Sequence, residues 1–257
     1  MNVQVLMSTT NKTSLKEFNV QSRNIKGTFV VVNQFAKANT IDENEKGTLY
    51  SYDEKGLAKS RNHLLEHASG DIGVISDDDI TFVDNYQQII EDAYLLHPDA
   101  DLITFNIQMG DQIIGSNKSF KYNFISLMSV VSCQITLRIK EVNTKHIRFL
   151  EHFGLGATFI SGEENIFLNT CRKQGLKIVH VPQVICSHPK EETTGERWDK
   201  ELVKSKGALS YALLGRKHGL FLFYFILFKH SCYKNQLSML EFYKWYRVGI
   251  KEYKCLK

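Results

Sequence analysis

An α/β fold is predicted: a mostly parallel central sheet flanked by helices, followed by a C-terminal helical tail. Three observations predict it. Strand and helix patterns alternate from Val3 to Gln108, the signature of a parallel sheet with crossover helices. The strand candidates read as continuous apolar runs, as strands buried on both faces do. One of these runs ends in three adjacent aspartates, where open α/β sheets hold their ligands. A length of 257 residues and 43% hydrophobic content suit one large domain with a real core, or one domain with an appendage.

Val3 to Ser8 reads as the first strand, ending in polar Ser8, Thr9, Thr10 and Asn11. Gly27 to Asn33, GTFVVVN, reads as the second. Lys37 to Lys55 is polar, with a turn at Glu45, Lys46 and Gly47. Leu57, Leu64, Leu65 and Ala68 recur at helical spacing, and Gly70 stops that helix. Ile72 to Phe82, IGVISDDDITF, is a buried strand running into Asp77, Asp78 and Asp79. Asp84 is expected to cap the next helix, with Gln87 completing a capping box. Tyr86, Ile89, Ile90, Ala93 and Tyr94 form its apolar face, Pro98 ends it, and Asp101 to Gln108 is a further strand.

Beyond Gly110 the pattern is less regular. Ile135, Leu137 and Ile139 alternate with polar residues, which predicts a strand with one wet face. Helical spacing returns after Gly162 and ends at Gly175; Ile178 to Val181 is a strand closed by Pro182. The sequence divides into an α/β domain, 1–190, and a basic, aromatic-rich helical extension, 191–257.

Charge divides the same way. From Leu202 to Lys257 there are 11 Lys and Arg against two acids, a net +9, while the remaining residues sum to −5. This asymmetry predicts an anionic surface as partner. Leu220 to Phe228 is an unbroken run of nine apolar residues. As a helix it would extend about 14 Å, short of the roughly 30 Å bilayer core. It is read either as a packed helix or, the favoured reading, as interfacial contact with an anionic membrane. The N-terminus, MNVQVLMSTTN, lacks a charged n-region, so no signal peptide is expected. Five scattered cysteines without a CxxC pair argue for reduced thiols and against structural zinc. A cytoplasmic protein, peripheral on the inner face of the membrane, is the expected localisation.

Three adjacent carboxylates repel one another, and a hard divalent cation with oxygen ligands is the natural compensation. Asp77 and Asp79 form a D-x-D pair and are the chief metal candidates.

The residues from Gly56 to Phe82, GLAKSRNHLLEHASGDIGVISDDDITF, resemble the Gly, Ala-Arg-Asn, Ala-x-Gly-Asp and Asp-cluster pattern of family 2 glycosyltransferases. These are inverting enzymes with a GT-A fold that use nucleotide-sugar donors. FGLGATFISGEENIFLNTCRKQGLKIVHVP, Phe153 to Pro182, resembles the acceptor-side block of bacterial members, and SHP at Ser187 to Pro189 resembles the His that often follows. The resemblance implies a GT-A-like fold and transfer from a nucleotide sugar, a UDP-sugar foremost, to a glycan or lipid-linked acceptor in bacterial surface-polysaccharide (capsule-type) synthesis. It implies Mn²⁺ or Mg²⁺ as cofactor, with Asp78 contacting ribose or sharing the ion. It implies a general base at Glu164, where Glu stands in place of the usual Asp, with neighbouring Glu163 as the other candidate. His188 would ligate the metal or donate to the diphosphate. Arg61, and more weakly Asn62, would pair with phosphate or ribose oxygens. Thr9 and Asn33 would contact the donor base, although VVNQFAKAN lacks the acids that often follow the second strand. Gly154 and Gly156 would admit the acceptor or simply make turns.

Two other classes fit parts of the sequence. A metal-dependent nucleotidyl or phosphoryl transferase would also use clustered aspartates, but no G-x-x-x-x-G-K-[ST] loop is present. A non-enzymatic module could bind an anionic surface or nucleic acid through the basic tail, with nucleic acid the less expected partner.

Overall fold

The computed structural model describes residues 1–12, 14–17, 20–189 and 198–256. In chain order the elements are β1 (Val3–Thr10), β2 (Phe29–Gln34), β3 (Thr40–Glu43), β4 (Gly47–Ser51), α1 (Leu57–His67), β5 (Ile72–Asp77), β6 (Thr81–Phe82) and α2 (Tyr86–Leu96). They continue with β7 (Leu102–Met109), β8 (Gln112–Ile114), β9 (Phe120–Lys121), β10 (Ile135–Arg138), α3 (Ile139–Thr144), α4 (Glu163–Lys173) and β11 (Ile178–His188). Four helices follow: α5 (Lys200–Leu214), α6 (Gly219–Phe228), α7 (His230–Tyr233) and α8 (Met239–Cys255). The boundary expected between 190 and 191 lies outside the described residues.

The strands form one sheet in the order β3-β4-β2-β1-β5-β10-β7-β11-β6, with β8 on β7 and β9 on β11. Parallel pairs join β4, β2, β1 and β5, and again β7 and β11. β10 lies antiparallel to both β5 and β7, so the sheet is mixed where its two parallel halves meet. Both faces are covered, which explains the continuous apolar runs. Val3, Val5 and Met7 of β1 join Tyr86, Ile90 and Tyr94 of α2 in one core; Leu6 joins Leu64 and Leu65 of α1 and Phe167 and Leu168 of α4 in the other.

Several local expectations are corrected. Asp84 does not cap α2: Asn85 is the N-cap residue, and Asp84 instead accepts a hydrogen bond from Asn24 Nδ2 at 3.0 Å and pairs with Lys26. β10 has no wet face, because Thr136 is fully buried and donates to the Ile103 carbonyl at 2.8 Å. Its alternation with polar residues reflects an internally satisfied hydroxyl. Ile139 already belongs to α3. Pro182 does not close β11, which continues to His188 through register shifts between Val181 and Cys186. Those irregularities absorb the missing N–H and carry the chain on to a histidine at the sheet's carboxyl edge.

The C-terminal helices form two further apolar clusters, one of which includes Phe153 and Phe159 from the segment before α4. α5 and α8 cross with backbone against backbone. A Cβ at Gly207 would lie 2.1 Å from the Tyr246 carbonyl oxygen, and one at Gly249 would lie 1.9 Å from that of Lys204. Both are steric impossibilities, so each helix supplies the glycine that admits the other.

Candidate active site

A cleft of about 530 Å³ opens at the carboxyl ends of β1, β2 and β5, lined among others by Thr9, Gln34, Phe35, Lys55, Asp77, Asp78, Asp79 and His188. The three aspartates leave β5 together but meet different partners. Asp77 faces Arg61, with Nη2 3.1 Å from its Oδ1, and Ser132 Oγ donates to its Oδ2 at 3.1 Å. Asp78 accepts a short hydrogen bond from Thr9 Oγ1, at 2.5 Å. Asp79 approaches His188, whose Nε2 lies 3.1 Å from its Oδ2, while its Oδ1 is buried with no hydrogen-bond partner among the described residues. Burial holds the Asp79 carboxyl above the usual range, against the pull of His188, and the charges of Asp77 and Asp78 add to the rise.

His188 has a determined tautomer. Its Nδ1 lies 2.6 Å from the Pro189 carbonyl, which can only accept, so Nδ1 carries a hydrogen. The neutral ring therefore presents a lone pair on Nε2 to a carboxylate oxygen. Either a proton or a metal cation must stand between two such acceptors.

A second pair of acids stands at the start of α4. Gly162 enters that helix at φ 106°, and Gly154, at φ 103°, leaves room for the Glu163 carboxyl, whose Cδ would be 3.2 Å from a Cβ placed there. Glu163 is buried and accepts from Arg61 Nη1 at 2.8 Å. Glu164 is half-buried and makes no such ion pair among the described residues. Burial first, and then the charge of Glu163, push its carboxyl up to about 8, with Arg61 and Lys206 opposing. The same burial lowers the Lys206 ammonium, against the attraction of Glu164 and Glu163.

Arg61 joins the two acid groups. Its side chain is 1% exposed, and its two terminal nitrogens are spent on Asp77 and Glu163. Burial works against its charge, but Asp77, Glu163 and Glu164 outweigh that, so the guanidinium is held charged. The phosphate or ribose contact expected of Arg61 is thus replaced by contacts to carboxylates. Asn62 does related work: its Oδ1 accepts from Phe149 N at 2.7 Å and its Nδ2 donates to the Phe149 carbonyl at 3.0 Å. The Arg-Asn pair of α1 ties the β5 end to the segment that leads into α4.

Thr9 lines the cleft. Asn33 is buried and committed, its Oδ1 accepting from Lys12 N at 3.0 Å. It braces the loop after β1, and the adjacent Gln34 and Phe35 reach the cleft in its place. Phe35 was not singled out in the sequence. It adopts φ 60°, rare for a bulky residue, is 47% exposed, and has Lys55 Nζ 5.9 Å from its ring centroid. An aromatic residue just beyond a buried strand was the available signal. Ser132 and Lys206 carried none, because only long-range folding brings them to the acids.

Among the described residues, no group of three or more His, Cys, Asp or Glu side chains is arranged to hold a metal. The chain offers instead a two-residue seat, Asp79 and His188. Its orphaned oxygen and facing lone pair suit Mg²⁺ or Mn²⁺, which typically bind through one or two protein ligands together with substrate phosphates and water.

No protein-family model and no curated protein matches the sequence. Solved structures do match the fold. S. aureus TarS residues 1–349, in complex with UDP-GlcNAc, aligns with a TM-score of 0.68 at 11% identity, over 98% of this chain and 80% of that one. The same TarS segment in complex with UDP gives 0.65 at 11% identity, over 95% and 78%. A crystal structure of S. aureus TarS not limited to that segment gives 0.62 at 11% identity, over 94% of this chain and 46% of that one. The fold is GT-A-like along nearly the whole chain.

Proposed function

We propose that this protein is an inverting glycosyltransferase that moves a sugar from a nucleoside-diphosphate donor, a UDP-sugar first among them, to a hydroxyl of a glycan or lipid-linked acceptor. One observation carries the reading. A cation-seeking pair, Asp79 and His188, stands at the sheet end, and a single arginine ties that end to Glu163 at the start of α4, next to Glu164, whose carboxyl burial pushes up to about 8. Donor use is supported by the fold shared with TarS, which was solved with UDP-GlcNAc and with UDP.

In this reading the cleft takes the donor. Phe35 offers a ring face for the nucleobase, and Thr9 and Asp78 form the floor near the ribose. Asp79 and His188, with Asp77 beside them, would hold Mn²⁺ or Mg²⁺, which when bound neutralises the diphosphate. The acceptor oxygen attacks the anomeric carbon from the face opposite the diphosphate. The bond from that carbon to the diphosphate oxygen breaks, and the acceptor's proton passes to the Glu164 carboxylate. Glu163 is the poorer base because Arg61 already occupies it. Arg61 acts through the two acids and touches neither substrate, so it is a positioning residue.

The test is calorimetry of UDP-, GDP- and dTDP-sugars with and without Mn²⁺. Metal-dependent binding of one of them is expected; no metal-dependent binding of any would overturn the reading.

A further inference from the structure

Helix α6 is apolar on every side, and one of those sides lies in water. Inward, Phe221 stacks on Phe124 at 5.9 Å, and Phe225 meets Trp198 and Phe242, each also at 5.9 Å. Outward, Leu220, Phe223, Tyr224, Leu227 and Phe228 are 41% to 68% exposed. Their spacing traces one face of a helix, the face on which a surface helix normally carries charged and polar residues. α8 adds exposed Met239, Leu240 and Tyr243 near its start. A contiguous apolar face on a soluble protein marks an interaction site.

Charge identifies the occupant. Arg216 and Lys217, both exposed, precede the helix, and Lys229 follows it. From Leu202 onward the chain carries 11 basic residues against two acids. Two copies meeting through this face would bring two such cationic regions together, which like-charge repulsion opposes. Among the described residues no helix is long and apolar enough to cross a membrane. We propose that α6 docks on an anionic lipid surface, lying in its plane with the Leu220–Phe228 stripe below the headgroups and Arg216, Lys217 and Lys229 among the lipid phosphates. α5, which leads into α6, packs Leu209 against Gly162 at the start of α4. The docked surface is therefore joined through α5 to the start of α4, which carries Glu164.

The test is flotation of the full chain with vesicles of phosphatidylcholine alone or with about a third phosphatidylglycerol. Binding is expected on the anionic vesicles and at least about tenfold weaker on the neutral ones, with salt weakening it. Leu227→Glu with Phe228→Glu should reduce binding by about tenfold or more at unchanged circular dichroism. Arg216→Glu with Lys217→Glu, at exposed positions that cannot disturb the core, should do the same. Equal binding to both vesicle types, no binding to either, or undiminished binding by both double variants overturns the proposal. So does a dimer in light scattering that Leu227→Glu dissociates, which would make the stripe a contact between copies. No sugar nucleotide enters the assay, so this proposal and the transferase reading fail separately.

Discussion

The end of β5 and the start of α4 solve the same electrostatic problem in opposite ways. Each is a run of adjacent carboxylates, and each gives one member to Arg61: Asp77 on one side, Glu163 on the other. Each leaves another member under-compensated, Asp79 and Glu164, and burial raises both. The difference lies in what faces the remaining acid. Asp79 meets His188 Nε2 at 3.1 Å, an arrangement completed by a proton or a metal cation. Glu164 has only the opposing charges of Arg61 and the half-buried Lys206 to offset its burial, and its carboxyl is pushed up to about 8. Neighbouring acids are thus placed in different surroundings by what folds against them, not by residue type, and the roles proposed above rest on that difference.

Removing the shared arginine should break the comparison most severely. Arg61→Met leaves Glu163 buried without a counter-charge, and a loss of about 3–5 kcal/mol is expected in urea denaturation. A loss below about 1 kcal/mol would show that the bridge is not structural.

Glu164→Gln separates the two acid sites. Turnover should fall by on the order of 10²-fold or more while donor affinity stays within about twofold; an active variant would end the base assignment. The wild-type rate should rise with pH up to about 8, because the carboxyl must be ionised to accept a proton. Stability carries the opposite sign. The folded protein holds this proton across a window, from the ordinary carboxylate range up to about 8, in which the unfolded chain has released it. Wild-type stability therefore declines through that window as pH rises, and the amide variant, scanned by thermal melts, should not share that decline.

Asp79→Asn acts on the other site. The metal-dependent part of donor affinity should fall by about tenfold or more, read by calorimetry with and without Mn²⁺. Thermal stability near neutral pH should hold or rise, since a carboxyl disfavoured by burial has been removed. Phe35→Ala should give the smallest effect, a loss of about 1–3 kcal/mol in donor affinity, if the ring stacks on the nucleobase; unchanged affinity would move the base elsewhere.

The sheet's parallel halves were legible because a strand buried on both faces has to be apolar throughout, as FVVV of β2 is. The turn at Glu45 to Gly47 was legible, but the hairpin around it was not: β3 is too exposed to show a period. β10 misled because a threonine whose hydroxyl is satisfied internally has the same pattern as one in water. At the site, the aspartate triplet was visible because its charge is local. The role of Arg61 was not, because its partner Glu163 is 102 residues away. No spacing rule reports which of several acids a buried guanidinium will choose.

The glycine crossing of α5 and α8 sets the mechanics of the tail. Gly207 and Gly249 close a loop at its neck, and α6 lies inside that loop. The entropy of closing the loop is offset at the neck, by backbone contact that no larger residue could make. The apolar stripe is therefore displayed by a clasp it does not help to fasten. Its side chains are free to change their surroundings without loosening the fold that presents them.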